Sequence, residues 1–378
     1  MKDEKNLFGL QDDLIYLNHA AVAPWPRCTA EAVKQFADEN SSLGATHYLQ
    51  WMETERQLRA NLAWLINASS LDDISIQKST SEALSTIAHG LEWQAGQNVV
   101  FLKQEFPSNR VVWQSLARYG VEARIIEPGP EQTPETALLA ACDENTRLIS
   151  VSSVQYATGL RMDLESIGRY CRERQILFCV DAIQSLGALA FDVNRIAADF
   201  VVADGHKWML GPEGVALLYT ARNIREQLKL HQFGWHMLAA AGDYDSLETT
   251  PASSGQRFEC GSPNMLGIHA LNSSISLIKE IGLEQIEAAI LGNTDLLIHL
   301  IAEHDQLQLT SSPEQHRRSG IVTFRVTFGD HEQVYRELMQ RRVICAPRGG
   351  GIRFSPHFYT GEQKLYDAMQ IVTEIINK

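Results

Sequence analysis

The chain has 378 residues, 44% hydrophobic and 21% charged, and its 46 acidic side chains outnumber 33 lysines and arginines to give a formal net charge of −13. That length carries a substantial core and predicts two domains, while an acidic balance without a basic block excludes the electrostatic footprint of a nucleic-acid binder. The first twenty residues are acidic and lack a secretory pattern, and no apolar run approaches the ~18 residues that span a bilayer, so the expectation is a cytoplasmic protein that handles a small molecule, away from membranes.

In chain order, DDISIQ (Asp72 to Gln77) reads as a strand that leads into KSTSEALSTIAHGL, an apparent helix opened by small hydroxyl residues. Thr80 and Ser81 there offer hydroxyls and backbone N–H groups at the positive end of a helix dipole, an anion site. The same residues also suit a capping box with Glu82, which needs no ligand. From about residue 99 to 220, short β-branched runs alternate with helical patterns, the signature of crossover units around a largely parallel sheet. Strands are predicted at Val99 to Leu102, Ala123 to Glu127, Leu148 to Val154, Leu177 to Asp181, Phe200 to Ala203 and Val215 to Tyr219. Helices are predicted at Pro107 to Arg118 and Leu164 to Arg174.

In such sheets ligands collect beyond the carboxyl ends of the strands, which directs attention to two places. The strand ILFCVD ends in Asp181, where a carboxylate is costly unless paired with a cation. A protonated ring nitrogen of a cofactor is one such partner, and capping the next helix is the plainer role. Gln184, three positions on, places an amide within reach of the same ring. The strand ADFVVAD is followed by Gly205, His206 and Lys207 and then by Gly211 and Pro212, so Lys207 sits on a short loop; a lone lysine is ordinarily a surface residue, and its setting is what singles it out.

After TTPASSGQ (Thr249 to Gln256) the pattern changes. A long amphipathic segment from Asn264 to Ile281 leads into strands SGIVTFRV and GIRFS interleaved with helices, a smaller α+β unit. The expected division is 16–263 for the large domain and 264–378 for the small one, with residues 1–15 an arm packed on the latter. The six cysteines show no CxxC pair or metal-ligand spacing and mostly lie in apolar stretches, as reduced, buried thiols do; no metal is expected.

Asp181-x-x-Gln184 followed by Gly205-His206-Lys207, within an ordered series from YLNHAAVAPWP (Tyr16 to Pro26) to GIRFSPHFYT (Gly351 to Thr360), resembles the class V aminotransferase family of fold-type-I pyridoxal-phosphate (PLP) enzymes. Cysteine desulfurases, selenocysteine lyases, C–S lyases, kynureninases and epimerases are members. The resemblance implies an aspartate aminotransferase-like α/β fold, with a mostly parallel seven-stranded sheet in the large domain. It implies that Lys207 carries PLP as a Schiff base, that Asp181 pairs with the pyridine nitrogen, that Gln184 and Tyr156 serve the ring hydroxyl, and that His206 contacts the phosphate, for which Thr80 and Ser81 offer the anion site read above. Phe106, in KQEFPSNRVVW, takes the place of the aromatic ring that stacks on the cofactor, often a histidine in desulfurases. Ser262, in RFECGSPN, matches a hydroxyl that reaches the phosphate of the other subunit, which implies a homodimer with shared active sites. Arg353, in GIRFS, matches the clamp for the α-carboxylate of an amino-acid substrate. Asp204 stands where many relatives have serine, and a carboxylate there must turn away from the phosphate or be paired.

Between Arg348 and Arg353 lie only three glycines and Ile352, where desulfurases of the selenocysteine-lyase type carry a longer insert with the nucleophilic cysteine; Cys345 sits in apolar VICAP. The expected reaction is desulfurase-like C–S lysis by β-elimination without a persulfide cysteine. The alternatives are transamination or epimerisation of a small amino acid and, in another class, an inactive PLP-fold binding protein.

Overall fold

The computed structural model describes residues 7–327 and 329–377. In chain order its strands are β1 (Ile15–Tyr16), β2 (Ile74–Gln77), β3 (Asn98–Leu102), β4 (Glu122–Ile126), β5 (Thr146–Ser152), β6 (Leu177–Asp181), β7 (Phe200–Asp204), β8 (Ala216–Thr220), β9 (Leu307–Leu309), β10 (Val322–Val326), β11 (Val343–Ile344), β12 (Ala346–Arg348) and β13 (Gly351–Phe354). The helices that matter below are α1 (Arg27–Leu43), α2 (Tyr48–Leu65), α3 (Thr80–Gly90), α4 (Leu164–Arg174), α5 (Met265–Ile281), α6 (Leu283–Ala302) and α7 (Glu362–Ile376).

Seven strands form one sheet in the order β2-β8-β7-β6-β5-β3-β4. Only β8 runs antiparallel to its neighbours, so the other six point the same way and deliver their carboxyl ends to one edge. Strands buried on both faces read as unbroken apolar runs, yet side chains still alternate between two cores. Val100, Leu102, Ile149, Val151, Phe178 and Val180 enter the larger cluster, shared with α2 and α5. Val99, Phe101, Leu148, Leu177 and Cys179 face α3 and Trp113 on the other side. The sequence anticipates these strands to within two residues at each end and α4 without error; Pro107 to Arg118 is instead a helix over Ser108–Gln114 continued by a 3₁₀ turn through Tyr119.

The second sheet, β12-β13-β10-β9, is antiparallel throughout. Val322, Phe324, Ile352 and Phe354 on one face join Leu297 and Ile301 of α6 and Leu365, Met369 and Val372 of α7 in a core of their own. Helix α5, capped by Asn264 accepting from the Gly267 N–H at 3.1 Å, packs instead on α1 and α2. Of the predicted arm, residues 1–6 lie outside the described residues; from residue 7 onward, Phe8 stacks on Tyr359 with centroids 3.6 Å apart and β1 pairs in parallel with β11.

An ionic network fixes the long irregular stretch after β8 to this frame. Arg59 of α2 donates to Glu55 Oε1 at 2.7 Å, to Glu259 Oε1 at 2.6 Å and to the Ile74 carbonyl at 2.8 Å, and Glu259 Oε1 also accepts from the Ile76 N–H at 2.8 Å. All three charged groups are buried. Burial opposes the charge on Glu55, but His236 and Arg59 outweigh it and hold that carboxyl below its ordinary range. Removing the shared cation strands two carboxylates in a low-dielectric interior, so Arg59→Leu should cost about 3–5 kcal/mol, read as a lowered urea midpoint. An unchanged midpoint would show that the network contributes nothing to stability.

Candidate active site

The parallel sheet brings most of the predicted site residues to one edge. Asp181 closes β6, Asp204 closes β7 and is followed by His206 and Lys207, Tyr156 lies four residues past β5, Phe106 lies four past β3, and Thr80 opens α3 just after β2. Lys207 and Asp181 are both buried, 8% and 2% exposed. The Lys207 Nζ lies 5.6 Å from the centre of the Phe106 ring, and Phe106 meets Tyr156 edge-on, with centroids 5.2 Å apart. From the second sheet, Arg353 donates through Nη1 to the Tyr156 carbonyl at 2.6 Å. Lys207, Asp181, Phe106, Tyr156 and Arg353 therefore share one locus between the two sheets.

Burial dominates the electrostatics there. Desolvation pushes the Asp181 carboxyl up to about 7, against a hydrogen bond from the Ile183 N–H and the attraction of Lys207, and Glu105 and Asp204 add to the rise. Desolvation likewise lowers the Lys207 amine to about 8, with Asp181 opposing and Arg353 reinforcing the shift. The Arg353 guanidinium falls to about 10 through burial and the neighbouring Arg348 charge, and it has no carboxylate partner among the described residues. Its Nε is without any hydrogen bond, as are the buried Thr80 Oγ1 and His206 Nδ1.

These open valences test the fit of PLP. A ring cation suits Asp181, a buried amine of lowered pKa suits imine chemistry, the aromatic face of Phe106 suits stacking, and the unpartnered Thr80 hydroxyl at the start of α3 suits a phosphate. Helix α3 is capped by Ser79, which accepts from the Glu82 N–H at 3.2 Å, while Glu82 accepts from the Lys78 N–H at 2.6 Å. Thr80 and Ser81 are thus free of the capping duty; Ser81 Oγ donates to Ser108 at 2.9 Å. Asp204 is paired, its Oδ1 2.9 Å from His206 Nδ1 in ion-pair rather than hydrogen-bond geometry.

Two predicted residues have other engagements. Gln184 donates to the Ala20 carbonyl at 3.0 Å and accepts from Trp208 Nε1 at 2.9 Å, holding the residue next to Lys207. Ser262 is exposed and lines a separate cavity of about 410 Å³ with Lys78, Glu82, His236 and Glu259; no hydrogen bond links it to the Lys207 cluster among the described residues. Glu55, His236 and Glu259 offer ligand-type atoms within 4.8 Å of one another. Arg59 already bridges both carboxylates, however, and each addresses a different nitrogen of the His236 ring, so the trio is an ionic network. Of the cysteines, Cys171, Cys179 and Cys345 are buried and Cys142 and Cys260 half-buried, but Cys28 is exposed, against expectation.

Sequence reasoning missed Glu105. This buried carboxylate accepts from the Ser152 N–H at 3.0 Å, from Asn109 at 2.9 Å and from Gln155 at 2.9 Å. Its signal was the polar series Glu105, Asn109, Ser150 and Ser152 inside otherwise apolar segments. Trp208 was passed over too. Its backbone fits only because Gly187, at φ 94°, has no side chain to meet the Trp208 carbonyl.

A mostly parallel sheet with a buried lysine and a buried aspartate at its carboxyl edge, completed by an arginine from a second sheet, defines a fold-type-I PLP enzyme. The chain belongs to the class V aminotransferase family, whose model matches residues 15–353. It is 30% identical over 397 residues to a probable cysteine desulfurase of Methanothermobacter thermautotrophicus, covering 99% of this chain and 98% of the relative. It is 28% identical to an uncharacterized aminotransferase, YcbU, of Bacillus subtilis, covering 92% and 91%. A mutant of C-DES with glycine covalently linked to its PLP cofactor superposes with a TM-score of 0.92 at 22% identity, covering 99% of this chain and all of that one. The apo cysteine desulfurase of Thermococcus onnurineus gives 0.87 at 22%, covering 100% and 98%. No described helix is long and apolar enough to cross a membrane.

The raised Asp181 pKa has a consequence for the cofactor-free protein. A folded-state pKa of about 7 against an unfolded value near ~3.9 means the folded state binds more protons across that window, so stability is greatest below it and falls as pH rises through about 7. Asp181→Asn should flatten this decline when urea midpoints are compared between pH 5 and 8; parallel curves for the two proteins would remove the assignment.

Proposed function

We propose that this enzyme is a C–S lyase that releases sulfur from a cysteine-type amino acid by β-elimination, without a persulfide cysteine of its own. The observation that carries the reading is the hairpin between Arg348 and Arg353. Strands β12 and β13 pair directly from Arg348 and Gly351, joined by Gly349 and Gly350 at φ 62° and 70°, the conformation of a two-residue type I′ turn. Such a turn leaves no loop to carry a thiol over the site. The nearby Cys345 is buried, and desolvation pushes its thiol up to about 12, far from the accessible thiolate that attack on sulfur needs.

PLP, when bound, supplies an electron sink conjugated to the substrate's α-carbon. We assign the pyridine nitrogen to Asp181, the ring face to Phe106, the ring hydroxyl side to Gln184 and Tyr156, and the phosphate to Thr80, Ser81 and His206, with Ser262 reaching it across a homodimer interface. Lys207 would hold the cofactor through its amine, and the same Nζ, when free, would take the proton from the substrate's α-carbon and deliver it to the departing sulfur. Burial lowers the pKa of this amine, which favours the neutral form that a proton acceptor needs. Arg353 holds the α-carboxylate as a planar two-point donor, which turns the Cα–H bond towards Lys207. We also propose the division into domains at 263 and 264, with α5 as the helix through which the second domain rests on the larger core.

The test is turnover of cysteine and S-substituted cysteines by the purified holoenzyme, followed as pyruvate, ammonium and free thiol or sulfide. Lys207→Ala should abolish the borohydride-reducible cofactor bond, and a retained bond would displace Lys207 from its role. Cys345→Ala and Cys260→Ala should each leave turnover within a few-fold of wild type. Loss of sulfur release in either, with cofactor still bound, favours a persulfide mechanism; a keto acid formed with no thiol released favours transamination.

A further inference from the structure

We propose that Glu105 is a positioning residue for the reaction, a buried anion that acts through Asp181, one strand away, and keeps a proton on the pair formed by that carboxyl and the cofactor's ring nitrogen. The effect on the nitrogen rests on the proposed pairing with Asp181; the effect on Asp181 itself does not.

Alternation along the strands sets the geometry. Val151 and Val180 point into the larger core, so Ser152 and Asp181, each one residue on, point to the opposite face, where Cys179 packs in the same cluster as Trp113. Ser152 stands directly opposite Asp181 in the parallel pairing of β5 with β6, and neighbouring strands lie about 4.8 Å apart. Glu105, three residues past the end of β3, accepts from the Ser152 N–H with both oxygens at 3.0 Å and from the Ser152 hydroxyl. Its carboxyl is thereby held beside the strand end that carries Asp181. Glu105 and Gln155 directly precede Phe106 and Tyr156, whose rings meet edge-on, so the bond between Gln155 and Glu105 lies at the margin of the site.

Among the described residues, every hydrogen-bond partner of this carboxyl is neutral and donates. Oε2 also accepts from Asn109 Nδ2 and Oε1 from Gln155 Nε2, both at 2.9 Å. Asn109 cannot turn its amide around, because its Oδ1 accepts from Trp113 Nε1 at 3.0 Å and from the Ser150 hydroxyl at 2.6 Å, and an indole N–H only donates. Donors on both oxygens favour the ionised carboxylate, in a place where Glu105 is 1% exposed and has no lysine, arginine or histidine as a partner. Burial works against that charge and raises the Glu105 pKa, with the bonds from Ser152, Asn109 and Gln155 opposing the rise.

The charge of Glu105 reaches further than its bonds. Burial is the main cause of the raised Asp181 pKa, Glu105 and Asp204 add to the rise, and the Ile183 N–H and Lys207 oppose it. The Cys179 thiol on the same face is raised too, by burial first and then by the neighbouring carboxyls. Asp204 faces His206 at 2.9 Å, whereas Glu105 faces no basic group of its own. An anion so placed favours the protonated form of each basic group near it, the Asp181 carboxyl and a ring nitrogen paired with it alike. A protonated ring is the better electron sink for the substrate's α-carbon, and through that a residue without any part in proton transfer bears on the reaction.

The experiment loads wild type, Glu105→Gln and Glu105→Asp with nitrogen-15-labelled PLP and follows by NMR the pH at which the ring nitrogen loses its proton. In the cofactor-free full chain, the carbon-13 carboxyl signal of Asp181, assigned by its loss in Asp181→Asn, is titrated alongside. Glu105→Gln should move both midpoints down by roughly one pH unit, and Glu105→Asp, which keeps the charge, should restore most of the shift. Gln155→Met takes one donor from the carboxylate and leaves Glu105 in place; it should move both midpoints the same way by less, and it decides the matter if Glu105→Gln does not fold. Midpoints unmoved in the variants that fold overturn the proposal, as does a Glu105→Asp protein that behaves like Glu105→Gln. A nitrogen signal that is the same in Asp181→Asn as in wild type removes the pairing with the ring, and the Asp181 midpoint then decides alone: a downward move in Glu105→Gln upholds the action of Glu105 on Asp181, and no move overturns it.

Discussion

Everything at this site depends on keeping a carboxylate and an amine of opposite charge in the dry interior at the end of neighbouring strands. Asp181 is almost wholly buried, and burial alone carries its pKa towards neutrality; Lys207 is displaced downward for the same reason. Neither shift is cancelled by the other group, because each also feels a charge of its own sign, Glu105 and Asp204 for the aspartate and Arg353 for the lysine. The two groups therefore stay close to the point where each can gain or lose a proton near neutral pH. Glu105 can stay buried beside them because its oxygens are covered by hydrogen bonds from Ser152, Asn109 and Gln155, whereas Asp181 accepts from the Ile183 N–H at 3.1 Å.

Much of this was legible in the sequence because the constraint is local to strand ends. A run such as ILFCVD buries both faces and then stops at an acidic residue, and that contrast of polarity marks Asp181 without any knowledge of its neighbours. The run ADFVVAD before Gly205, His206 and Lys207 does the same for the lysine. Glu105 was not legible for the converse reason: its partners come from β5, from the segment just after that strand and from the helix that follows Glu105 itself, and only the folded chain assembles them. The same holds for the Arg59 network, in which Arg59 and Glu259 are 200 residues apart. The irregular stretch after β8 carries no periodicity of its own, so nothing in it announces that Glu259 is an anchor.

Gln184 has a bracing duty that its place in the sequence does not reveal. Its position after Asp181 places it at the site, but its amide is engaged with Ala20 and Trp208. Trp208 in turn offers its carbonyl to His357 Nε2 at 3.2 Å, and His19 joins the Ser355 carbonyl and the Tyr359 hydroxyl at 2.8 and 2.6 Å. His19 and His357 are buried groups that desolvation keeps largely uncharged. The loop bearing Lys207 is thus braced from the amino-terminal segment on one side and the carboxyl-terminal segment on the other, by neutral hydrogen bonds that do not compete with the charges at the reacting end.

That bracing also explains how a second sheet can hold Arg353 accurately beside Lys207 and Tyr156. A guanidinium on a long side chain is a poor positioning device unless its backbone is fixed and its planar head is partly engaged. Strand β13 is the fixed element: it has paired neighbours on both sides, one face sealed into a core, and its next residues, Ser355 to Tyr359, tied to the amino-terminal segment. The Tyr156 carbonyl engages one end of the Arg353 head and leaves Nε unpartnered. Because the connection back to β12 is a closed two-glycine turn, the space above the arginine cannot be filled by an insert of the chain itself.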